Sequence, residues 1–393
     1  MVEYRNAITV GVILAVVAGS GIVFALTSYL PSQNNQTTLA NSEPPTLASI
    51  ASANITVSGY PGEIAINTNA NKIYVADLFE SKLTVVSAST HASIGTITLP
   101  EPVGAGFGMA VDSRTGMVFV PSNGTVIEID STSDKIVGEI PFDMSRLAVN
   151  PITDILYGVH VSFGHSSSGS LLAVNVTSGK IIANTSLDAD PIGIAVNAET
   201  GAVYVAACKS VTLACVGAEM LAVNASSHEI QWETQLSSSS TSPTLLGFDA
   251  LNFNVIVNPS DDAVYTMGLD GANLTLVSMD GKSGAIRYSS NIGSSCAGAG
   301  GGVLAFDASF NRIYASFNSQ GFFLAINGST GRISGMLSSA AGIQYVAFNP
   351  VTNQVWVTPA AIHGGAGSLV ELPANAGEGH VDSSLLQLGA CFP

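Results

Sequence analysis

The chain has 393 residues, only 10% of them charged, and 28 Asp and Glu against 12 Lys and Arg give a formal charge of −16. That balance excludes a cationic surface able to neutralise phosphates, and with it nucleic acid and anionic lipid headgroups as partners. A hydrophobic content of 47% excludes a disordered chain, while 40 Gly among abundant Ser, Thr and Asn point to short strands joined by tight turns.

In chain order, residues 8–30 (ITVGVILAVVAGSGIVFALTSYL) carry no charge, and about 20 apolar residues at helical rise span a bilayer core. The segment is expected to be a membrane-spanning helix or signal anchor. Its rival is a cleaved signal peptide, whose apolar stretch is shorter and ends in a small-residue cleavage site that does not follow this run. Arg5 precedes the helix and the next positive charge is Lys72, which leaves residues 1–7 in the cytoplasm and sends the rest of the chain outside the cell. Residues 31–53 are polar, Pro-containing and aperiodic, the composition of a flexible extracellular stalk.

An exterior location agrees with Asn-x-Ser/Thr tripeptides at Asn35, Asn54, Asn123, Asn175, Asn184, Asn224, Asn273 and Asn327, although a chain this rich in Asn, Ser and Thr also generates them without glycosylation. It agrees too with four cysteines, an even set. Cys208 with Cys215 is expected as a staple within one loop, and Cys296 with Cys391 as a bridge that fastens the C-terminus.

Residues 54–393 are repetitive. An apolar strand ending in Asn or Asp recurs at Asn67, Asp112, Asn150, Asn197, Asn258, Asp307 and Asn349, and seven residues after each stands a large aromatic: Tyr74, Phe119, Tyr157, Tyr204, Tyr265, Tyr314 and Trp356. The period of roughly 40–60 residues is that of a four-stranded propeller blade. The apolar run is the innermost strand, covered on both faces. Its terminal Asn or Asp bonds its own backbone and starts the turn, and the aromatic on the returning strand packs between blades. Stacked radially, seven such units form a seven-bladed β-propeller of four-stranded antiparallel blades with no open sheet end. The last blade is expected to be completed by the N-terminal stretch around Ile55–Val57, with SLLQL near Leu385 as competitor.

The segments IAINTNANKIYVADL (Ile64 to Leu78), LAVNPITDILY (Leu147 to Tyr157), IAVNAETGAVYVAA (Ile194 to Ala207) and VAFNPVTNQVWVTP (Val346 to Pro359) make residues 55–393 resemble the YVTN-repeat β-propellers. The resemblance implies a cell-surface or exported protein, archaeal or bacterial and surface-layer-like, with relatives among quinoprotein-type propellers. The motif residues are turn and core positions, so they speak for fold rather than function.

Antiparallel alternation puts the second-to-third strand loops and the blade-to-blade connections at one end of the ring, where Val159 to Ser168, Cys208 to Glu219, Ser237 to Asn254 and Ala360 to Gly367 exceed the structural minimum. Recognition is expected on this loop-rich face. His160, His165, His363, Asp188 and Asp190 fall there as candidate ligand-binding residues. No cofactor is expected, and the alternative is a transition metal held by those histidines. Asp261 and Asp262 read as solvated turn residues, and no nucleophile–base pair stands out. The expected function is therefore non-enzymatic, a membrane-anchored binding or scaffolding module that engages an envelope protein or glycan. The alternative is an exported metal- or quinone-dependent oxidoreductase working in the central funnel.

Overall fold

The computed structural model describes residues 44–103, 108–160, 169–211, 215–236, 254–270, 273–294, 302–317, 321–339, 342–359 and 367–380. All of them belong to one compact unit, Leu39–Pro393. The expected membrane helix lies outside the described residues, and among those described no helix is long and apolar enough to cross a membrane.

Each repeat forms a four-stranded antiparallel sheet, and there are seven sheets. The innermost strands are Pro61–Asn67, Ala110–Asp112, Arg146–Asn150, Asp190–Asn197, Val255–Asn258, Gly302–Asp307 and Ile343–Asn349. That of blade seven lies against that of blade one, which closes the ring. Closure uses the N-terminal strand: Ala53–Val57 pairs antiparallel with Gly367–Pro373, Ile55 opposite Leu369 and Val57 opposite Gly367. It supplies the outer strand that blade seven lacks; Leu385 lies outside the described residues.

One turn design serves every blade. All seven Asx side chains that end the inner strands are buried, and each Oδ1 accepts one or two backbone N–H groups two or three residues on, as when Asn197 accepts from Glu199 and Thr200. Four residues after the Asx the chain turns through positive φ at Asn71, Gly116, Asp154, Gly201, Asp262, Asn311 and Asn353. Gly, Asn and Asp are the residues that enter this region at least cost. The turns that follow the third strands repeat the device, with His91, Asp134, Gly179, His228, Gly284 and Gly331 at positive φ before the outer strands of blades one to six and Gly377 at positive φ after the third strand of blade seven.

The repeated aromatics are each at most 1% exposed. Six of the seven stand opposite an inner-strand alanine, as Tyr204 opposes Ala195, and Tyr265 opposes Ile256. The small partner leaves room for the ring against the next blade, and burial of such a ring contributes about 2–3 kcal/mol. The hydrophobic clusters accordingly span neighbouring blades: Tyr74 packs with Val118 and Ile127, and Phe119 with Leu147 and Leu156. Every tyrosine hydroxyl of the set then donates into the following blade, Tyr74 to Asp134, Tyr157 to Ala225 O, Tyr204 to Asp262, Tyr265 to Gly328 O and Tyr314 to Ala374 O. Burial raises the pKa of all five, those of Tyr157 and Tyr265 to about 12, so the hydroxyls remain donors.

Two expectations change. The C-terminal part of the segment expected as a stalk, from residue 44, packs on the ring: Leu47 is buried, a short helix runs over Leu47–Ile50, and Pro45 O accepts from Ser338 N–H at 3.1 Å. The turn after the third strand of blade seven meets the same outer strand of blade six through Met336 N–H to Gly377 O and Gly379 N–H to Ser334 O. A Cβ at Gly335 would stand 2.6 Å from Gly377 O, so glycine is required for that approach. Asp261 and Asp262 are also more than solvated turn residues. Asp262 accepts from Tyr204 Oη at 2.7 Å and Asn197 Nδ2 at 2.6 Å, and Asp261 pairs with Arg287 at 3.0 Å.

Candidate functional site

The two ends of the ring differ in character. At one end the turns from inner to second strand have one length and one hydrogen-bond pattern, so their sequence is consumed by structure. At the other, the second strands end at Val159, Val211 and Pro359 and the third resume at Gly169, Cys215 and Gly367, while blades four and five are joined between Gln235 and Val255. That end has the freedom to carry recognition.

The inner strands begin at the loop-bearing end. Four residues before each terminal Asx, Glu63, Gly108, Arg146, Gly193, Asn254, Val303 and Tyr345 occupy equivalent positions, one per blade. Five of these seven line a small cavity of about 70 Å³, with Ile64 and Val346. Glu63 is part-exposed as a residue, yet its Oε2 is screened from solvent and has no hydrogen-bond partner. Burial pushes its carboxyl up to about 8, against the opposing pull of a hydrogen bond from Met109 N–H and the charge of Arg146. Arg146 is buried, which lowers its pKa, while the nearby Glu63 and Tyr345 raise it. Gly108 lies directly against Arg146, close enough that a Cβ there would make ordinary van der Waals contact with it. Asn254 donates to Leu304 O at 3.1 Å, which fixes its amide in the wall.

Of the five residues expected as a ligand-binding set, His160, Asp188 and Asp190 are described. His160 Nδ1 lies 3.2 Å from Asp143 Oδ2, both near the surface. Asp188 is exposed, whereas Asp190 is buried at the start of an inner strand opposite Cys208. His165 and His363 lie outside the described residues. Among the described residues no three His, Cys, Asp or Glu converge to hold a metal.

Cys208 and Cys215 are bridged, Cα to Cα 5.4 Å, across the tip of the long hairpin of blade four. Cys296 and Cys391 lie outside the described residues. Beneath the bridge, wholly buried Glu219 is met by Lys209 Nζ at 2.8 Å and Gln235 Nε2 at 2.6 Å. The hydrogen bond to Glu219 holds Lys209 above its usual pKa, helped by charges that include Asp188.

The sequons have a structural reading as well. Asn175, Asn224 and Asn327 each cap a third-to-outer turn, their Oδ1 atoms accepting from Ser178, from Ser226 and Ser227, and from Ser329 and Thr330. Asn54 and Asn184 are exposed on outer strands, Asn123 is exposed in the loop-end turn of blade two, and Asn273 begins a third strand.

The candidate residues that the sequence reading did not single out are Glu63 and Arg146. Their signal was available: in a chain with 10% charge, each puts a charge four residues before the Asx of an otherwise apolar inner strand.

Comparison with known proteins follows this geometry. The PQQ_2 family, described as outer membrane protein assembly factor BamB, matches residues 62–252, which take in blades one to four. No curated protein matches the chain. Among solved structures it is similar to Kuenenia stuttgartiensis hydrazine synthase, with 11% identity and a TM-score of 0.62 over 83% of this chain and 96% of that one. It is also similar to the Myceliophteria thermophila Cps50 (Swd1) β-propeller domain, with 11% identity and a TM-score of 0.61 over 82% and 98%. At such identity these likenesses speak for the propeller fold, and the chain is a seven-bladed β-propeller with a BamB-like match over its first half.

Proposed function

We propose that the chain is a membrane-anchored extracellular propeller of the YVTN-repeat kind, acting as a non-enzymatic binding or scaffolding module through its loop-bearing end. The carrying observation is the asymmetry of the ring: one end is spent on seven identical capped turns, and the other combines unequal loops with a polar axial cavity. The description of the matching family as an assembly factor is in keeping with a scaffold. The uncharged run 8–30 supports a membrane anchor, and the Cys208–Cys215 bridge supports an oxidising compartment outside the cytoplasm. The partner we propose is an envelope protein or glycan, with glycans of the protein's own at exposed sequons such as Asn54 and Asn123.

Photo-crosslinkers placed at Asp143 and Asp188 on the loop-bearing end, and at Thr132 and Asn353 on the other, test this on intact cells. Adducts with envelope components from the first pair alone support the reading; adducts from the second pair alone, or none, overturn it.

The family match favours a second reading, a quinone-dependent oxidoreductase working in the funnel. The residues described do not fit it. A fused-ring quinone needs a pocket of at least about 300 Å³, against the roughly 70 Å³ of the cavity lined by Glu63 and Arg146.

A further inference from the structure

We propose that the axial cavity binds a small zwitterionic amino acid, with its ammonium on Glu63 and its carboxylate on Arg146. The inference rests on the reading of the loop-bearing end as the binding end and names the ligand class at its centre.

Ring closure brings one carboxyl from blade one and one guanidinium from blade three to the wall of the same cavity, with Asn254 and Tyr345 beside them and Ile64, Val303 and Val346 as apolar surface. Oε2 of Glu63 is screened from water and accepts no hydrogen bond. A buried acceptor left without a donor is destabilising, and a ligand N–H would satisfy it. A guanidinium presents its donors in a planar fork that matches a carboxylate, which is the group Arg146 is suited to recognise. The formal charge of −16 opposes the approach of a free anion, whereas a zwitterion carries no net charge to be repelled. The size of the cavity, about 70 Å³, suits a few heavy atoms and excludes a nucleotide or an oligosaccharide.

The charged and titratable groups facing the cavity are Glu63, Arg146 and Tyr345. Because burial holds the Glu63 carboxyl near 8, it is mostly protonated in the empty site at pH 7. An arriving ammonium takes the place of that proton, which passes to the buffer.

Calorimetric titration of the full-length chain tests this, with glycine as zwitterion and acetate and methylammonium as its two halves. Glycine is expected to bind in the millimolar range or tighter, with at least tenfold weaker binding of either half. At pH 7, in buffers of different ionisation enthalpy, close to one proton should be released per glycine, falling away above pH 8. Glu63→Gln and Arg146→Gln should each weaken binding at least tenfold while the thermal transition stays cooperative. No binding of glycine, equal binding of acetate, or binding without proton release overturns the proposal, and the wild-type titrations decide it even where a variant fails to fold. If glycine fails while crosslinking at Asp143 and Asp188 succeeds, the axial site falls and the binding end stands.

Discussion

Nε2 of His91, in the outer turn of blade one, lies 2.8 Å from the wholly buried carboxylate of Glu371 in blade seven. This pair sits at the seam where the last blade meets the first. Five other interfaces are bridged by a tyrosine hydroxyl, but here the aromatic is Trp356, whose ring tilts against His91 at 6.0 Å and whose Nε1 finds no acceptor. His91 takes over the polar role that the indole does not fill.

His91→Ala is therefore expected to destabilise the protein by about 1–3 kcal/mol, because it strands a buried carboxyl. Burial raises the pKa of Glu371, with His91 opposing. The sign follows: below the usual carboxylate range Glu371 is neutral in both states, and as pH rises the cost of ionising it in the fold grows. The loss in His91→Ala should be small near pH 4 and larger at pH 7, and should shrink in the double variant with Glu371→Gln. Thermal melts across that range check all three points.

Glu63 makes a second pH-dependent contribution. Its carboxyl, pushed up to about 8 by burial, stays protonated in the fold after it has ionised in the unfolded chain. Stability is lost as pH rises from about 4.5 to 8, by on the order of 1–3 kcal/mol once solvent in the funnel is allowed for. Glu63→Gln should remove this slope, so the variant gains on the wild type at pH 8 relative to pH 5 in denaturant titrations.

Asp262 receives both Tyr204 Oη and Asn197 Nδ2 across the interface of blades four and five. Tyr204→Phe should cost about 0.5–1.5 kcal/mol. Asp262→Gly, which keeps the positive φ of 52° accessible, should cost more because two buried donors lose their acceptor. A double-mutant cycle is expected to show coupling between the two sites.

The chain before residue 58 is required for closure. Removal of residues 1–52 leaves Ala53–Val57 in place and should give a folded, monomeric ring with a lowered Tm, since the packing of Leu47 is lost. Removal of residues 1–57 exposes the third strand of blade seven as an open edge and should give aggregation. Light scattering and melting of the two truncations distinguish the outcomes.

Replacing both Cys208 and Cys215 by Ser should lower stability by about 2–3 kcal/mol on a chain-entropy basis, with increased proteolysis confined to the hairpin tip of blade four. Mass mapping without reductant is expected to recover Cys208 with Cys215, as the structure pairs them, and Cys296 with Cys391.

The blade repeat was legible because its rules are local. An Asx side chain reaches only two or three residues along the chain, a positive φ needs Gly, Asn or Asp at one fixed offset, and the aromatic follows its Asx by seven residues whichever blade carries it. The set His160, His165, His363, Asp188 and Asp190 could not be given a geometry from the sequence, for the opposite reason. Membership of one end of the ring set no distances, and His160 found Asp143 while Asp190 was drawn into a strand.

By itself, then, the order of residues determined the unit and the number of units, since each depends on patterns within one repeat or on counting repeats, while the pairing of Ala53–Val57 with the last blade joins residues far apart in the chain and was decided by the tertiary structure. Only the tertiary structure decided that Glu63, Arg146 and Tyr345 share a cavity, that His91 answers Glu371, and that Pro45 and the turn at Gly377–Gly379 both bond the outer strand of blade six. Those contacts join residues from different blades, and their distances exist only once the hydrophobic faces of the blades have stacked and the ring has closed.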